Sequence, residues 1–419
     1  MRKVIAFLIL IILCVFVYYK FIYINDNLKE VLKLTEDETF YIDNYTIFGN
    51  HFNISGCIDK RLNNPNLVLK NSKQEINIES IFTSDDNTCF KISENNNDSI
   101  NLDELNIGNY VLLVKEIEDD NIKYYNLENK TDYEDLTYYT ITKNRSNKRI
   151  DIKFNIYDNK KHLNIKVKRS KLPSDVYDIT IDPGHGGNDP GASYKLNDKV
   201  YNESDFTLKI SLLLKEELED LGLKVKITRD KDKTLSNYGT SGRGVIPNKV
   251  KSKYSLSIHI NSLSSNINYG GVEIYTPNNV DYKLATMFAD NISEIVGYSK
   301  KQTGKVEDGV YYTYFTRTDI LESKEENLKK NLKPYDIKVG APYMFMIREV
   351  GGVNTYAYVD GRNTSHGYNE YFNSNQTAEP YLLELGYINY KKDLQNLIKR
   401  PELFAKAISE ALEDYLNIS

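Results

Sequence analysis

A single histidine lies in a glycine-rich turn within residues 178–192, which read DITIDPGHGGNDPGA. Ile179 and Ile181 alternate with polar residues as in a half-buried strand, and Pro183 and the glycines around His185 end that strand. A loop that leaves a rigid strand gives a side chain both reach and a fixed direction. The pattern therefore makes His185 a candidate metal ligand.

Three further polar residues lie at the start of an apolar segment or within one. Glu203 precedes a long amphipathic segment, His259 lies in SLSIHINS, and Glu384 lies in PYLLELGYIN. An unpaired carboxylate would be costly in a core, so a functional role explains Glu384 better than packing does. Taken alone, His259 between two isoleucines would be a core histidine, and Asn202–Glu203–Ser204 would cap the following helix.

The order of these segments resembles the zinc-dependent N-acetylmuramoyl-L-alanine amidases, which cut bacterial peptidoglycan. The resemblance rests on DPGHGG, a glutamate before a long helix, SIHxN and LxELGYIxN, and it covers roughly residues 177–418. It implies that His185, Glu203 and His259 bind Zn²⁺ and that Glu384 acts as the catalytic base.

Several other residues are candidates to support the site or to replace one of its carboxylates. The resemblance also includes Gly386 and Asn389 after the catalytic glutamate, and Arg243 and Asn248 before the second histidine. We expect Arg243 and Asn248 to hold the loop or the sheet rather than to contact substrate. Asp182, Asp189 and Glu273 are the alternative carboxylates to Glu203 and Glu384. Asp182 is either a partner that orients a ligand histidine or a turn residue, and His366 has no partner pattern.

The first 25 residues predict a membrane anchor. A short basic start, MRK, precedes the apolar run VIAFLILIILCVFVYY, and no small-residue cleavage pattern follows it. Arg2 and Lys3 favour a single-pass protein of the cell membrane with an extracytoplasmic catalytic domain, secreted only if the segment is cleaved. For Cys14, burial in a membrane helix is favoured over lipid attachment, because Leu13 is not the small residue that such processing needs.

Composition narrows the chemistry and the partners. Three cysteines without CxxC spacing exclude a thiolate zinc site, so that a metal must be held by histidine and carboxylate. Cys57 and Cys89 follow the predicted anchor, where a disulfide is permitted, and their pairing stays open. A net charge of −5 argues against a nucleic-acid partner.

The chain divides after the anchor into a linker and two domains. Residues 26–40 predict a charged linker, and residues 41–170 contain many short alternating runs typical of an antiparallel, immunoglobulin-like β-sandwich. This all-β domain would serve as a spacer, bind the wall or contact a wall-associated protein. Residues 171–419 predict a three-layer α/β catalytic domain with a largely parallel sheet. Residues 300–378 lack clear periodicity, and because the resembled family has a shorter connection here, part of this range is interpreted as an insertion.

Strand and helix candidates support the α/β prediction for the second domain. Helices are expected to begin near Glu203, near Val280 and at Pro401. The expected strands are Tyr177–Ile181, Lys224–Thr228, Ser255–Ile260, Gly271–Tyr275 and Tyr381–Leu385.

The predicted function is zinc-dependent hydrolysis of the amide between N-acetylmuramic acid and L-alanine in peptidoglycan. Two alternatives stay open, because a fold and a metal do not fix the scissile bond. One is a metallopeptidase that cuts elsewhere in the stem peptide. The other is a wall-binding or regulatory protein whose groove is closed by residues 300–378, although such a protein has no need of Glu384 as a base.

Overall fold

The structure is a computed structural model, and it contains two packed domains. It describes residues 28–78, 81–82, 88–91, 99–119, 121–131, 134–141, 147–157, 159–237, 239–263, 270–298, 300, 307–329, 331, 337–355 and 369–418. The predicted anchor at residues 1–25 and His366 lie outside these ranges. No helix within them is both long and apolar enough to span a bilayer.

The first domain is built from strands, as its alternating apolar pattern predicts. A helical turn at residues 28–32 precedes it. The strands are β1 Thr35–Phe48, β2 His51–Cys57, β3 Asn66–Lys70, β4 Glu75–Ile78, β5 Ile81–Phe82, β6 Cys89–Lys91, β7 Ile100–Asn101, β8 Gly108–Glu118, β9 Asn121–Asn129, β10 Leu136–Tyr139, β11 Lys148–Tyr157 and β12 Lys160–Arg169. Because β1 begins at Thr35, the packed domain includes part of the predicted linker.

Hydrogen bonds join these strands into one continuous sheet around an apolar core. The main path runs β10-β11-β12-β8-β9-β1-β2-β6-β5, and β1 pairs with β9 in parallel. The immunoglobulin-like arrangement of two separate sheets therefore stays a prediction. Cys57 and Cys89 face each other on β2 and β6 and form a disulfide, which answers the pairing question that the sequence left open.

The second domain alternates strands and helices. Its strands are β13 Ile179–Pro183, β14 Ser193–Leu196, β15 Lys199–Asn202, β16 Val225–Ile227, β17 Tyr254–Asn261, β18 Glu273–Tyr275, β19 Val310–Tyr311, β20 Gln376–Thr377 and β21 Glu379–Tyr387. Its helices are α1 Glu203–Asp220, α2 Ile246–Lys249, α3 Lys283–Val296, α4 Arg317–Lys329, α5 Phe345–Gly351, α6 Lys391–Lys399 and α7 Pro401–Leu416, and a 3₁₀ turn follows α5 at Gly352–Thr355.

The central sheet of this domain is mixed but largely parallel. Its order is β16-β13-β17-β21-β18-β19, and only the β18–β21 pair among these neighbours is antiparallel. One face is apolar and packs against α1, α3 and α7. The opposite face carries the polar side chains of the alternating strand positions, including Asp182, Ser257, His259 and Glu384. This polarity difference between the faces places the chemistry on one side of the sheet.

Hydrogen bonds connect the two domains directly. Strand β20, from the predicted insertion, pairs in parallel with β1 of the first domain. Asn354 Nδ2 donates to the Ile47 carbonyl at 3.3 Å, and Tyr254 Oη donates to Asn50 Oδ1 at 3.0 Å. The predicted insertion therefore contributes to the domain interface through its described residues.

Candidate metal centre

The turn after β13 brings His185 over the end of the sheet. His185 adopts a left-handed backbone with φ of +58°. Gly184 packs directly against the His259 ring. A Cβ atom on residue 184 would lie only 2.6 Å from that ring, so that this position requires glycine. Arg243 Nη2 donates to the His185 carbonyl at 2.9 Å and holds the turn in place. The glycine-rich sequence thus allows two histidines on different elements to approach each other.

Glu203 joins the two histidines through one oxygen atom. It is the first residue of α1, and only 4% of its surface is exposed. Its Oε1 lies 3.1 Å from His185 Nε2 and 3.0 Å from His259 Nδ1. The Ala192 and Ile260 backbone amides donate to the same carboxylate at 2.9 and 3.0 Å. These two hydrogen bonds hold the carboxylate at the point toward which both histidine rings are directed.

The geometry of these three residues fits a small dication. One ligand atom from each of His185, Glu203 and His259 lies within 4.8 Å of the others. A tetrahedral zinc ion with bonds of about 2.0–2.1 Å separates its ligands by about 3.3 Å, close to the contacts between Glu203 and the two rings. Two histidines and one glutamate also form a common zinc ligand set that leaves one position open.

Charges within this cluster are strongly coupled. Burial opposes ionisation of Glu203, but hydrogen bonds from both histidines outweigh burial and hold the pKa of this carboxyl well below its usual range. Burial lowers the pKa of His185, but hydrogen bonds to Glu203 and Asp189 outweigh this effect and raise it. Glu203 therefore remains ionised and supplies a buried negative charge that attracts cations.

Asp189 is the carboxylate that orients His185. Its Oδ2 lies 2.8 Å from His185 Nδ1, which leaves Nε2 of the same ring directed toward Glu203. A carboxylate behind a ligand histidine fixes its tautomer and ring orientation. Asp182, which the sequence analysis offered for this role, instead accepts hydrogen bonds from Thr228 and Ser257 at 2.6 and 3.1 Å. Asp182 does not bond to a ligand ring; it supports the sheet and pairs at 3.4 Å with Arg243, which holds the His185 carbonyl.

Glu384 lies beside this cluster on the polar face of the sheet. It is the direct register partner of His259 on β17 and of Glu273 on β18. Its Oε2 is buried and makes no hydrogen bond within the described part of the chain. Burial and the nearby carboxylates of Glu203 and Glu273 raise the pKa of Glu384 well above its usual range. Such an unsatisfied carboxylate next to a cation site is suited to proton transfer.

Glu273 is held differently from Glu384 although the two face each other. It is buried, and it accepts hydrogen bonds from Tyr387 Oη, from Tyr275 Oη at 2.9 Å and from Asn261 Nδ2 at 3.2 Å. These three donors engage both of its carboxylate oxygens. Glu273 is therefore a structural neighbour of Glu384 and not a rival base.

Arg229 is a supporting residue that the sequence analysis missed. It is fully buried, and it donates to the carbonyls of Pro183, Gly184 and Ser204 at 2.8–3.0 Å. These bonds tie the His185 turn to the start of α1, which carries Glu203. Its position just beyond β16, after Thr228, is the only signal in the sequence, because its partners are backbone atoms that are distant in the chain.

The other expected supporting residues bond to backbone. Asn248 Nδ2 donates to the Val350 carbonyl, and its Oδ1 accepts from the Ala378 amide, both at 2.8 Å. Asn389 Nδ2 donates to the Leu263 carbonyl at 2.6 Å. These bonds connect loops to the sheet, in agreement with the structural role expected for Asn248.

Comparison with known sequences shows similarity to cell-wall amidases. Residues 179–324 match the protein family described as N-acetylmuramoyl-L-alanine amidase. A probable cell wall amidase LytH of Staphylococcus epidermidis is 38% identical over 97 residues, covering 23% of this chain and 30% of the relative. Its Staphylococcus aureus counterpart is 36% identical over 107 residues, covering 26% and 33%. The chain thus matches about a third of the length of these relatives.

The solved structures that match this chain include amidases. The catalytic domain of CwlV, an N-acetylmuramoyl-L-alanine amidase from Bacillus (Paenibacillus) polymyxa var. colistinus, is 20% identical and has a TM-score of 0.39. The alignment covers 58% of this chain and all of that domain. Cwp6 from Clostridium difficile is 24% identical with a TM-score of 0.37, covering 57% and 29%.

Proposed function

Because this chain carries a domain of the N-acetylmuramoyl-L-alanine amidase family at residues 179–324, we propose that it is a zinc-dependent amidase. Its substrate is the amide between N-acetylmuramic acid and L-alanine in peptidoglycan. The observation that carries this proposal is the convergence of His185, Glu203 and His259 on one point, with Glu384 beside them. Glu384 follows the range that matches the family, so its role rests on this geometry.

We assign His185, Glu203 and His259 as the residues that hold zinc. Zinc bound there would polarise the substrate carbonyl and lower the pKa of a water molecule. Asp189 keeps the His185 ring turned toward the cluster, and the two backbone amides keep Glu203 in place. The chain thus supplies a preorganised set of ligands whose geometry does not depend on surface loops alone.

Glu384 is the proposed general base and acid. Hydrolysis adds the hydroxyl of water to the carbonyl carbon, breaks the carbon–nitrogen bond and leaves a proton on the L-alanine amine. The free Oε2 of Glu384 is available to take the proton from water and to return it to the leaving amine. Burial and the carboxylates of Glu203 and Glu273 raise the pKa of Glu384, which favours the return of the proton.

Membrane attachment is proposed from the sequence. The apolar run that begins at Val4 would anchor the chain, with both packed domains on the extracytoplasmic side near peptidoglycan. The close contact between the domains favours the first domain as a positioning element for the catalytic domain. A wall-associated protein partner would contact the surface of this first domain that is not packed against the second.

The direct test is to incubate the full chain, in mild detergent, with purified peptidoglycan and to identify the products by mass spectrometry. Stem peptides that begin with L-alanine, together with intact glycan strands, are expected, and they should disappear with a chelator. Cleavage elsewhere in the stem would replace the substrate assignment. Bound zinc without any product would favour the wall-binding alternative.

A further inference from the structure

The outer face of the first domain carries a row of basic side chains. The β11–β12 hairpin, residues 148–169, contains eight Lys and Arg against two Asp, a net charge of +6, in a chain whose net charge is −5. Its core positions are the apolar residues Ile150, Ile152, Ile165 and Val167. Because side chains alternate along a strand, the basic row consists of the outward-facing residues Arg149, Lys153, Lys166 and Lys168.

Acidic neighbours neutralise only part of the basic row. Asp151 accepts from Arg149 Nε at 2.7 Å and from Lys168 Nζ at 3.1 Å, and Asp135 lies 3.1 Å from Lys153 Nζ. The Lys153 and Lys168 side chains remain 44% and 46% exposed. The Lys153–Asp135 pair is exposed on both sides, and exposed ion pairs are weak. Four cations against two carboxylates leave the row positively charged.

A groove separates the basic row from the start of the described chain. The helical turn at residues 28–32 packs on the same outer face, where Leu28 and Leu32 contact a cluster that includes Val111 and Leu113. The groove has a volume of about 530 Å³ and is lined by Leu28, Lys29, Ile156, Lys153, Lys166 and Lys168. Ile156 is 71% exposed at this groove. The groove thus combines cations with apolar surface, as the interface of a bilayer requires.

The sequence places this groove close to a bilayer. In the predicted anchor the apolar run at residues 4–19 is followed by Lys20 and by the apolar residues 21–24, so that residues 25–27 separate the last apolar residue from the helical turn. Three extended residues span about 10 Å, and the Debye length at physiological ionic strength is about 8 Å. Charges beside the helical turn would therefore experience the surface potential of the membrane.

We propose that the groove and the basic row form a contact surface for anionic phospholipid headgroups of the leaflet from which the chain emerges. The headgroup phosphate binds the exposed lysines, and Leu28 of the helical turn lies at the apolar boundary beside them. This contact would hold the two packed domains in one orientation relative to the membrane. The proposal rests on the membrane attachment proposed above, and it is independent of the amidase chemistry.

The test uses the full chain in nanodiscs of phosphatidylcholine, with or without phosphatidylglycerol. Lysine acetylation rates are measured by mass spectrometry, with the exposed Lys391, Lys399 and Lys406 of the catalytic domain as internal controls. Lys153, together with the other lysines of the basic row, is expected to react about threefold more slowly in the anionic discs. The protection should disappear in about 1 M salt, where screening is strong.

Two charge-reversal variants test whether the basic row acts as a unit. Lys166→Glu with Lys168→Glu should abolish the protection of Lys153 in anionic discs. The matched double variant Lys399→Glu with Lys406→Glu carries the same charge change and should preserve that protection. If Lys153 reacts equally in both lipids, the contact surface does not exist.

Two other results would overturn the proposal in distinguishable ways. Failure of the chain to enter either kind of disc would remove the membrane attachment on which the proposal rests, while the peptidoglycan assay would still report on the amidase. Protection that appears in neutral discs only after a soluble poly(glycerol phosphate) is added would assign the basic row to an anionic wall polymer instead.

Discussion

His259 and Glu384 are direct register partners on the neighbouring parallel strands β17 and β21. Residues paired in this way point to the same face of the sheet, so that a proposed metal ligand and a proposed base are held side by side by backbone hydrogen bonds. The two residues are far apart in sequence, and the described part of the predicted insertion lies between them. The sheet therefore fixes their geometry whatever the intervening chain does.

The first prediction concerns Glu384→Gln. This isosteric change removes the proton acceptor, and it should lower the rate of stem-peptide release by about 10²–10⁴-fold. Zinc content, measured by elemental analysis, should remain that of the wild type because Glu384 is not assigned as a ligand. Glu402→Gln, an exposed change at the start of α7, serves as the control. Full activity of Glu384→Gln would reject the assigned base.

The second prediction concerns Glu203→Gln. The amide keeps the shape of the side chain but loses the negative charge that both histidines share, so that zinc affinity should fall by at least about 100-fold. Zinc binding is measured by competition with a fluorescent chelator. Glu216→Gln, an exposed change on the same helix, should leave affinity unchanged. Equal affinity in the two variants would exclude Glu203 as a ligand.

The third prediction separates the orienting carboxylate from the ligands. Asp189→Asn should weaken zinc binding by about 10–100-fold, because it removes the charge behind His185 without removing a ligand. Asp182→Asn should affect zinc binding less, since Asp182 bonds to Thr228 and Ser257 in the sheet. The same chelator competition measures both variants. A larger loss in Asp182→Asn would reverse these two roles.

How much of this centre was predictable from sequence differs from residue to residue. His185, His259 and Glu384 lie at strand ends or within strands whose periodicity is clear, and the structure brings them to one face. The choice between Asp182 and Asp189 was not predictable, because both flank the same turn and only the path of the turn decides which one reaches the ring.

Long-range contacts account for what the sequence analysis missed. Arg229 bonds to carbonyls on two other segments, and no local pattern specifies such partners. The pairing of β20 with β1 likewise depends on how the two domains meet. By contrast, the beginnings of α1 and α7 agree with the sequence analysis, since the apolar period of α1 and the proline that opens α7 are local signals.

The fourth prediction concerns Arg229→Met. The substitution retains an apolar stem but leaves the carbonyls of Pro183, Gly184 and Ser204 without their buried donor, and it should lower the free energy of unfolding by about 3 kcal/mol or more. Urea denaturation followed by circular dichroism measures the change. Arg317→Met, at the exposed start of α4, is the control. An unfolding midpoint equal to that of Arg317→Met would contradict the scaffolding role.

The last prediction concerns a buried carboxyl near the domain interface. Burial raises the pKa of Glu379 from 4.5 to about 8, although Tyr381 Oη donates to it. Between these two values the folded chain keeps a proton that the unfolded chain has lost, so that the free energy of unfolding falls as pH rises through this window. The contribution of Glu379 is fully present below pH 4.5, and its loss by pH 8 amounts to a few kcal/mol, at about 1.4 kcal/mol per pKa unit.

Glu379→Gln tests this dependence because the amide is neutral at every pH. Urea midpoints measured between pH 5 and 8.5 should fall less steeply with pH in Glu379→Gln than in the wild type. The exposed control Glu402→Gln should retain the slope of the wild type. Asp103, whose pKa burial raises to about 6, contributes in the same direction and accounts for a residual slope below that pH. Identical slopes in wild type and Glu379→Gln would show that Glu379 is ionised in the folded chain.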